Sequence, residues 1–308
     1  MIVYKELKSL ESDLGFSLKL LYALSNNIKK HYTTVEIPKK SGGVRHLSVP
    51  DKILKRVQRR IAGVILSKLE VSKYAAAYRY GSSVVKNAAA HVGKKKILKL
   101  DILHFFDSIS YSAVKERAFP DERFSESVRI LLTILCYYGD ILPQGAPTSP
   151  VITNLVMCDF DDTVGAWCEK RGISYTRYCD DMAFSGDFDE TEVIALVKQE
   201  LRKKQLLLNY KKTAVINCGG RQSVTGIVVN DKINIASEYK RKLKQEMYYC
   251  QKYGVTEHAK RIGEDDVKKY LLSLLGRVSY ALQVRPYDDC LKKYKLQIIK
   301  FIKEQNNG

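Results

Sequence analysis

Three acidic residues carry the strongest chemical signal in the chain: Asp101, Asp180 and Asp181. Asp180 and Asp181 are adjacent in Tyr178-Cys179-Asp180-Asp181, between Ile173-Ser174-Tyr175-Thr176-Arg177 and Met182-Ala183-Phe184-Ser185. Neighbouring carboxylates repel and lose solvation unless a cation lies between them. On an ordinary surface turn such a pair is simply solvated. Set in an apolar hairpin it needs another reason, and hard oxygen ligands for Mg²⁺ supply one. Asp101 lies 79 residues before Asp180, at the end of the largely apolar run Lys96-Ile97-Leu98-Lys99-Leu100. Two Mg²⁺ ions roughly 4 Å apart can activate a 3′ hydroxyl and stabilise a leaving pyrophosphate. That chemistry needs carboxylates converging from separate strands, and these three meet the requirement. Asp107 is a rival, but behind Phe105-Phe106 it suits the anchoring of a turn.

A further block, Leu142-Pro143-Gln144-Gly145-Ala146-Pro147-Thr148-Ser149-Pro150, reads as a rigid loop opening a helix. Gln144 can hydrogen-bond an incoming nucleotide from such a loop. Taken alone the loop is ordinary; its place between Asp101 and the Asp180-Asp181 pair points to nucleic-acid polymerisation.

The elements that must position these residues are legible in outline. Apolar residues near helical spacing predict a helix over 1–32. Two short strands, 35–38 and 44–50, flank a basic glycine turn, and a helix over 51–69 starts at a capping Asp51. Strands are expected at 96–102, 173–178, 182–185, 206–209 and 226–229, and helices at 110–138, 150–171 and 190–205. From about 237 the pattern is helical and strongly basic, so the fold class is α+β with a helical end.

Composition fits a polyanionic partner. The 308 residues hold 52 Lys plus Arg against 34 Asp plus Glu, a net charge of +18. So basic a chain repels itself when compact, unless phosphates screen it and release their counterions in doing so. Twenty tyrosines offer rings that can stack on bases. Seven cysteines, at 136, 158, 168, 179, 218, 250 and 290, form no CxxC pair, which argues against a zinc site and a disulfide framework. The first residues lack the basic-then-apolar order of a signal peptide, and no apolar run approaches a membrane span. A reducing cytoplasm and no membrane partner are expected.

With these blocks in place, the chain resembles the reverse transcriptase family, specifically the bacterial retron type within the group II intron-like superfamily. Tyr178-Cys179-Asp180-Asp181 is similar to the family's YxDD box, and Asp101 to its first metal aspartate. Cys179 departs from the more familiar alanine but keeps a small residue there. The resemblance implies metal ligation by Asp101, Ile102, Asp180 and Asp181, with two Mg²⁺ ions and Mn²⁺ as a possible substitute. It also implies that Lys39 or Lys40, with Arg45, grips the dNTP triphosphate, aided by backbone amides near His104 and Phe105. Phe106 matches the steric gate against a ribose 2′-OH, and Gln144 the loop that touches the dNTP. Asn209 and Lys212 resemble the following strand-and-lysine motif. Two signatures are of retron type: Asn87-Ala88-Ala89-Ala90-His91, similar to NAxxH, and Val224-Thr225-Gly226, similar to VTG. Read without the resemblance, Asn87 is a helix cap and His91 a satisfied histidine.

The resemblance implies a right-hand polymerase: fingers over 1–95, palm over 96–112, fingers and palm helices over 113–140, palm over 141–235, and a short helical thumb over 236–308. Basic residues recurring from Lys240 to Lys295 around Leu271, Leu274 and Val278 suit RNA binding by that thumb. The implied function is copying a cognate structured noncoding RNA into branched multicopy single-stranded DNA, primed from the 2′-OH of an internal guanosine. A role in phage defence with a separate effector protein is implied as well. The rival readings are another bacterial reverse transcriptase class and a non-catalytic RNA-binding scaffold.

Overall fold

The runs around the acidic residues fold as strands, because β-branched and aromatic side chains fit a half-buried pleated surface. In the computed structural model, residues 3–38 and 42–307 are described. They fall into two units, Met1–Ser82 with Leu98–Val215, and Ser83–Ile97 with Ile216–Gly308.

In the first unit, β1 (Tyr32–Pro38) and β2 (Val44–Pro50) form an antiparallel ribbon running from Tyr32 opposite Pro50 to Pro38 opposite Val44. Its outer half is exposed, including Val35, Ile37 and Val44. A four-stranded sheet follows, built from β3 (Lys96–Asp101), β4 (Ser174–Tyr178), β5 (Asp181–Gly186) and β6 (Ala214–Asn217) in the order β4-β5-β3-β6. After Asp181, β5 is buried on both faces, whereas β4 alternates and turns Tyr175 and Arg177 inward. The helix Cys158–Glu169 packs on β4. Gly165 makes room there, since a Cβ at that position would lie 2.0 Å from the Tyr74 ring.

Several expected helices are broken. The one expected over 1–32 becomes Leu7–Leu14 and Leu18–Asn26, parted by Gly15 at φ +70. The one expected over 110–138 becomes Tyr111–Ala118 and Glu126–Cys136; Pro120 cannot supply a helical N–H and keeps Phe119 out of the helical region. The one expected over 150–171 bends at Met157 into Ser149–Val156 and Cys158–Glu169. The Asp51 cap holds, with its carboxylate accepting from the Leu54 N–H at 2.8 Å. Leu206–Asn209 makes only a single bridge, Leu208 to Ile102, before a 3₁₀ turn at Tyr210–Lys212. β6 was not expected at all.

The second unit holds the short helix Val84–Ala89 and an antiparallel sheet of β7 (Ser223–Val224), β8 (Ile227–Val228) and β9 (Asn234–Ile235). Its helices are Ser237–Tyr253, Val255–Arg261, Val267–Val284 and Asp289–Asn307. Leu271, Leu274 and Val278 are buried on one stripe of the third of these, which packs along the fourth. All seven cysteines are free. Among the described residues no helix is long and apolar enough to cross a membrane.

Candidate active site

The three aspartates converge within the first unit. β4 and β5 are joined by the two-residue turn Cys179-Asp180, with Tyr178 opposite Asp181 in register. Cys179 takes φ +62, a left-handed conformation rare for a residue with a Cβ. β3 lies beside β5, and the Ile102 N–H donates to the Asp180 carbonyl at 3.1 Å. That bond sets the end of β3 against the turn.

Asp101 is 3% exposed and firmly held. Lys212 Nζ donates to its Oδ2 at 2.7 Å and Asn209 Nδ2 to its Oδ1 at 2.9 Å. The Asn209 N–H also donates to the Asp101 carbonyl at 2.8 Å. The hydrogen bond to Asp101 raises the Lys212 ammonium above its usual range, so it stays charged. Desolvation by the surrounding protein, then the charges of Asp180 and Asp101, push the Asp181 carboxyl up to about 6. The Asp181 side chain is itself open to solvent. Its desolvation therefore comes from the crowded cleft walls rather than from enclosure.

Three carboxylates against one ammonium leave an excess of negative charge that a divalent cation would relieve. Among the described residues, no three His, Cys, Asp or Glu side chains form a ready metal cage. The donor set nonetheless fits a hard cation. Its side-chain atoms are all carboxylate oxygens, and each Asp101 oxygen keeps a lone pair beyond its bond to Lys212 or Asn209.

Around the aspartates opens a cleft of about 640 Å³. Arg45, Ile102, His104, Phe105, Phe106, Gln144, Asn209 and Lys212 all line it, as does Asp107. Phe105 is buried, and Phe106 is only partly so. His104 takes φ +47 and starts the turn that presents them, its carbonyl accepting from the Ser108 N–H at 2.9 Å. The Phe106 carbonyl accepts from the Leu142 N–H at 3.2 Å, which ties that turn to the loop carrying Gln144. Gly145 brings the loop against β2. Its φ is +125, and a Cβ there would lie 2.9 Å from the Ser48 carbonyl oxygen. Lys39 lies outside the described residues.

Residues 37–234 match the family model for reverse transcriptase (RNA-dependent DNA polymerase). The chain belongs to that family. It is similar to the retron Mx65 reverse transcriptase of Myxococcus xanthus, 32% identical over 277 residues, covering 83% of this chain and 62% of the relative. It is also similar to the retron Ec83 reverse transcriptase of Escherichia coli, 28% identical over 298 residues, covering 90% of this chain and 91% of the relative. Among solved structures, an apo telomerase from Candida tropicalis aligns with a TM-score of 0.48 and 14% identity, over 72% of this chain and 61% of that one.

The remaining motif residues of this reverse transcriptase gather in the second unit. Asn87 Nδ2 lies 3.4 Å from Thr225 Oγ1, across 138 residues of chain, and Thr225 Oγ1 donates to the Val84 carbonyl. Val224 is buried in β7, with Thr225 at φ +48 and Gly226 at φ +81 forming the turn into β8. The Gly93 N–H reaches the carbonyls of Val229 and Asn230. His91 is fully buried, and burial, then the charge of Lys94, pushes its imidazole down to about 4. The two retron-type signatures therefore meet one another within the second unit.

Sequence reasoning missed Thr34, Ser48 and Tyr78, which also line the cleft. It also missed the buried pair of Arg177 and Asp161 behind the turn. An arginine inside an apolar strand beside two aspartates was the available signal for that pair.

Proposed function

We propose that this reverse transcriptase copies part of its own structured noncoding RNA into branched multicopy single-stranded DNA, starting from the 2′-OH of an internal guanosine. The supporting observation is that Asp101, Asp180 and Asp181 share one cleft with Arg45, Phe106 and Gln144. The likeness to retron reverse transcriptases supports the choice of template and primer.

Asp101, Asp180 and Asp181, with the Ile102 backbone, would hold two Mg²⁺ ions, with Mn²⁺ as a substitute. Bound there, such ions ease ionisation of the primer hydroxyl and offset the charge of the leaving pyrophosphate. Lys212 and Asn209 hold the Asp101 carboxylate in place. Arg45 binds the triphosphate through charge-assisted hydrogen bonds, with the backbone near His104 and Phe105 beside it. Phe106 excludes a ribose 2′-OH by its bulk, and Gln144 orients the incoming dNTP. The O3′–Pα bond forms as the bond from Pα to the bridging oxygen breaks. The hydroxyl proton passes to solvent and pyrophosphate departs.

In this reading fingers span 1–95, palm 96–112 and 141–235, the helices between them 113–140, and a basic thumb 236–308. The thumb recognises the RNA by shape and phosphate contacts. Phage defence with a separate effector protein is the physiological role. The test is to purify the protein with its co-expressed RNA, add dNTPs and treat the product with RNase. The expected product is a discrete single-stranded DNA whose 5′ end resists exonuclease until it is debranched. Extension of an added primer alone would make the enzyme a different reverse transcriptase class.

A further inference from the structure

Behind the aspartate turn, in the first unit, lies a polar network that no cleft residue accounts for. Arg177 and Asp161 are both fully buried. Arg177 Nε donates to Asp161 Oδ1 at 2.8 Å and Nη2 to Asp161 Oδ2 at 2.5 Å. Asp161 also accepts from the Tyr175 hydroxyl at 2.8 Å. The guanidinium has two further bonds: Nη2 donates to Asn154 Oδ1 at 3.2 Å, and Nη1 to the Cys179 carbonyl at 2.9 Å. The main chain of Arg177 is pinned as well, its N–H to the Tyr74 carbonyl at 2.9 Å and its carbonyl to the Ala76 N–H at 2.7 Å.

The Cys179 carbonyl belongs to the residue at φ +62, immediately before Asp180. Both carbonyls of the turn are thus fixed, that of Cys179 by Arg177 and that of Asp180 by the Ile102 N–H. A left-handed residue with a Cβ persists only where its surroundings over-determine it. Well-packed apolar residues stabilise a core as well as a buried ion pair does, or better. A pair kept here is therefore accounted for by what it holds in place. Lysine could not substitute, because only the planar fork reaches carboxylate, amide and carbonyl together.

We propose that Arg177, oriented by Asp161 and Asn154, is a positioning residue that holds the Cys179-Asp180 turn so that both aspartates face the reacting phosphate. The proposal rests on the polymerase reading of the cleft. Its test is Arg177→Lys, assayed for single-nucleotide extension of a primed RNA template, with primer–template affinity, dNTP KM and thermal unfolding measured on the same protein. The ammonium can still pair with Asp161 but cannot also hold the turn. A misplacement of about 1 Å can reduce a rate by roughly 100-fold, so kcat should fall by about 10- to 100-fold while KM and template affinity stay at wild-type values. A folded Arg177→Lys with wild-type kcat overturns the proposal, as does a loss of kcat matched by an equal loss of template binding. Should Arg177→Lys not fold, Asn154→Ala decides. It removes the orienting bond to Arg177, together with the bond from Asn154 Nδ2 to the Ala77 carbonyl, and leaves the ion pair; the proposal requires a smaller but clear fall in kcat alone. Wild-type kcat in that variant makes the pair purely structural. Wild-type protein that incorporates no dNTP removes the polymerase reading and this proposal with it, a result distinct from active enzyme indifferent to Arg177.

Discussion

Replacing Gly145 by alanine tests how the loop proposed to contact the nucleotide is held. The residue sits at φ +125, where an L side chain is strained, and its new Cβ would lie 2.9 Å from the Ser48 carbonyl oxygen in β2. Backbone strain of that kind costs about 1–3 kcal/mol, and overfilling a tight contact with rigid backbone adds about 1–3 kcal/mol. The loop can relieve part of this by backing away from β2, and Gln144 would move with it. Two effects are therefore expected together in Gly145→Ala. Urea unfolding should show a loss of about 2–4 kcal/mol, less than the full sum because of that relaxation. Steady-state extension should show a dNTP KM raised about tenfold, equivalent to 1.4 kcal/mol, with primer–template affinity unchanged. A variant as stable as wild type, with the same KM, would refute both the contact and the role given to the loop.

The other predictions concern the proposed gate, the proposed cation site and the buried histidine. Phe106→Ala should lower discrimination against ribonucleotides by roughly tenfold or more, measured as the ratio of kcat/KM for a dNTP and its rNTP; an unchanged ratio would remove Phe106 as the gate. Mg²⁺ should raise the melting temperature of the wild type, by the equivalent of about 2.7 kcal/mol at a hundred times its Kd. In the Asp180→Ala, Asp181→Ala variant that rise should vanish, and equal shifts would place the cation elsewhere. His91 is folded as the neutral form, its imidazole pushed down from 6.5 to about 4. Between those values the unfolded chain binds a proton that the folded chain refuses. Stability is therefore fully present above pH 6.5 and lost as pH falls toward 4, by about 3 kcal/mol. In His91→Gln the slope of stability against pH over that window should flatten; an unaltered slope would show that His91 does not titrate on unfolding.

The parts of the site that were legible in the sequence are those whose residues are close in the chain. Tyr178 to Asp181 announce their own hairpin, and Asp101 ends a run of buried aliphatics. Gln144 sits in a loop whose proline and glycine content fixes it. Boundaries were less legible where one residue overrode a periodic pattern, as Gly15 and Pro120 did for helices read as continuous. Apart from the convergence of the three aspartates, partnerships between distant segments were not legible. Nothing local in Asn87 indicates Thr225, and nothing in Asp161 indicates the guanidinium of Arg177. Leu206–Asn209 looked like a strand because it is apolar. It is instead a short connection whose backbone serves Leu103 and Asp101.

The most direct measurement is incorporation of a labelled dNTP onto a primed RNA template by the purified wild type, beside the Asp180→Ala, Asp181→Ala variant, with and without Mg²⁺. Metal-dependent, template-directed incorporation by the wild type alone is the predicted result. Incorporation by both proteins, or by neither in any divalent metal while both are folded and bind the template, would contradict the assignment of the aspartate cleft as the site of polymerisation.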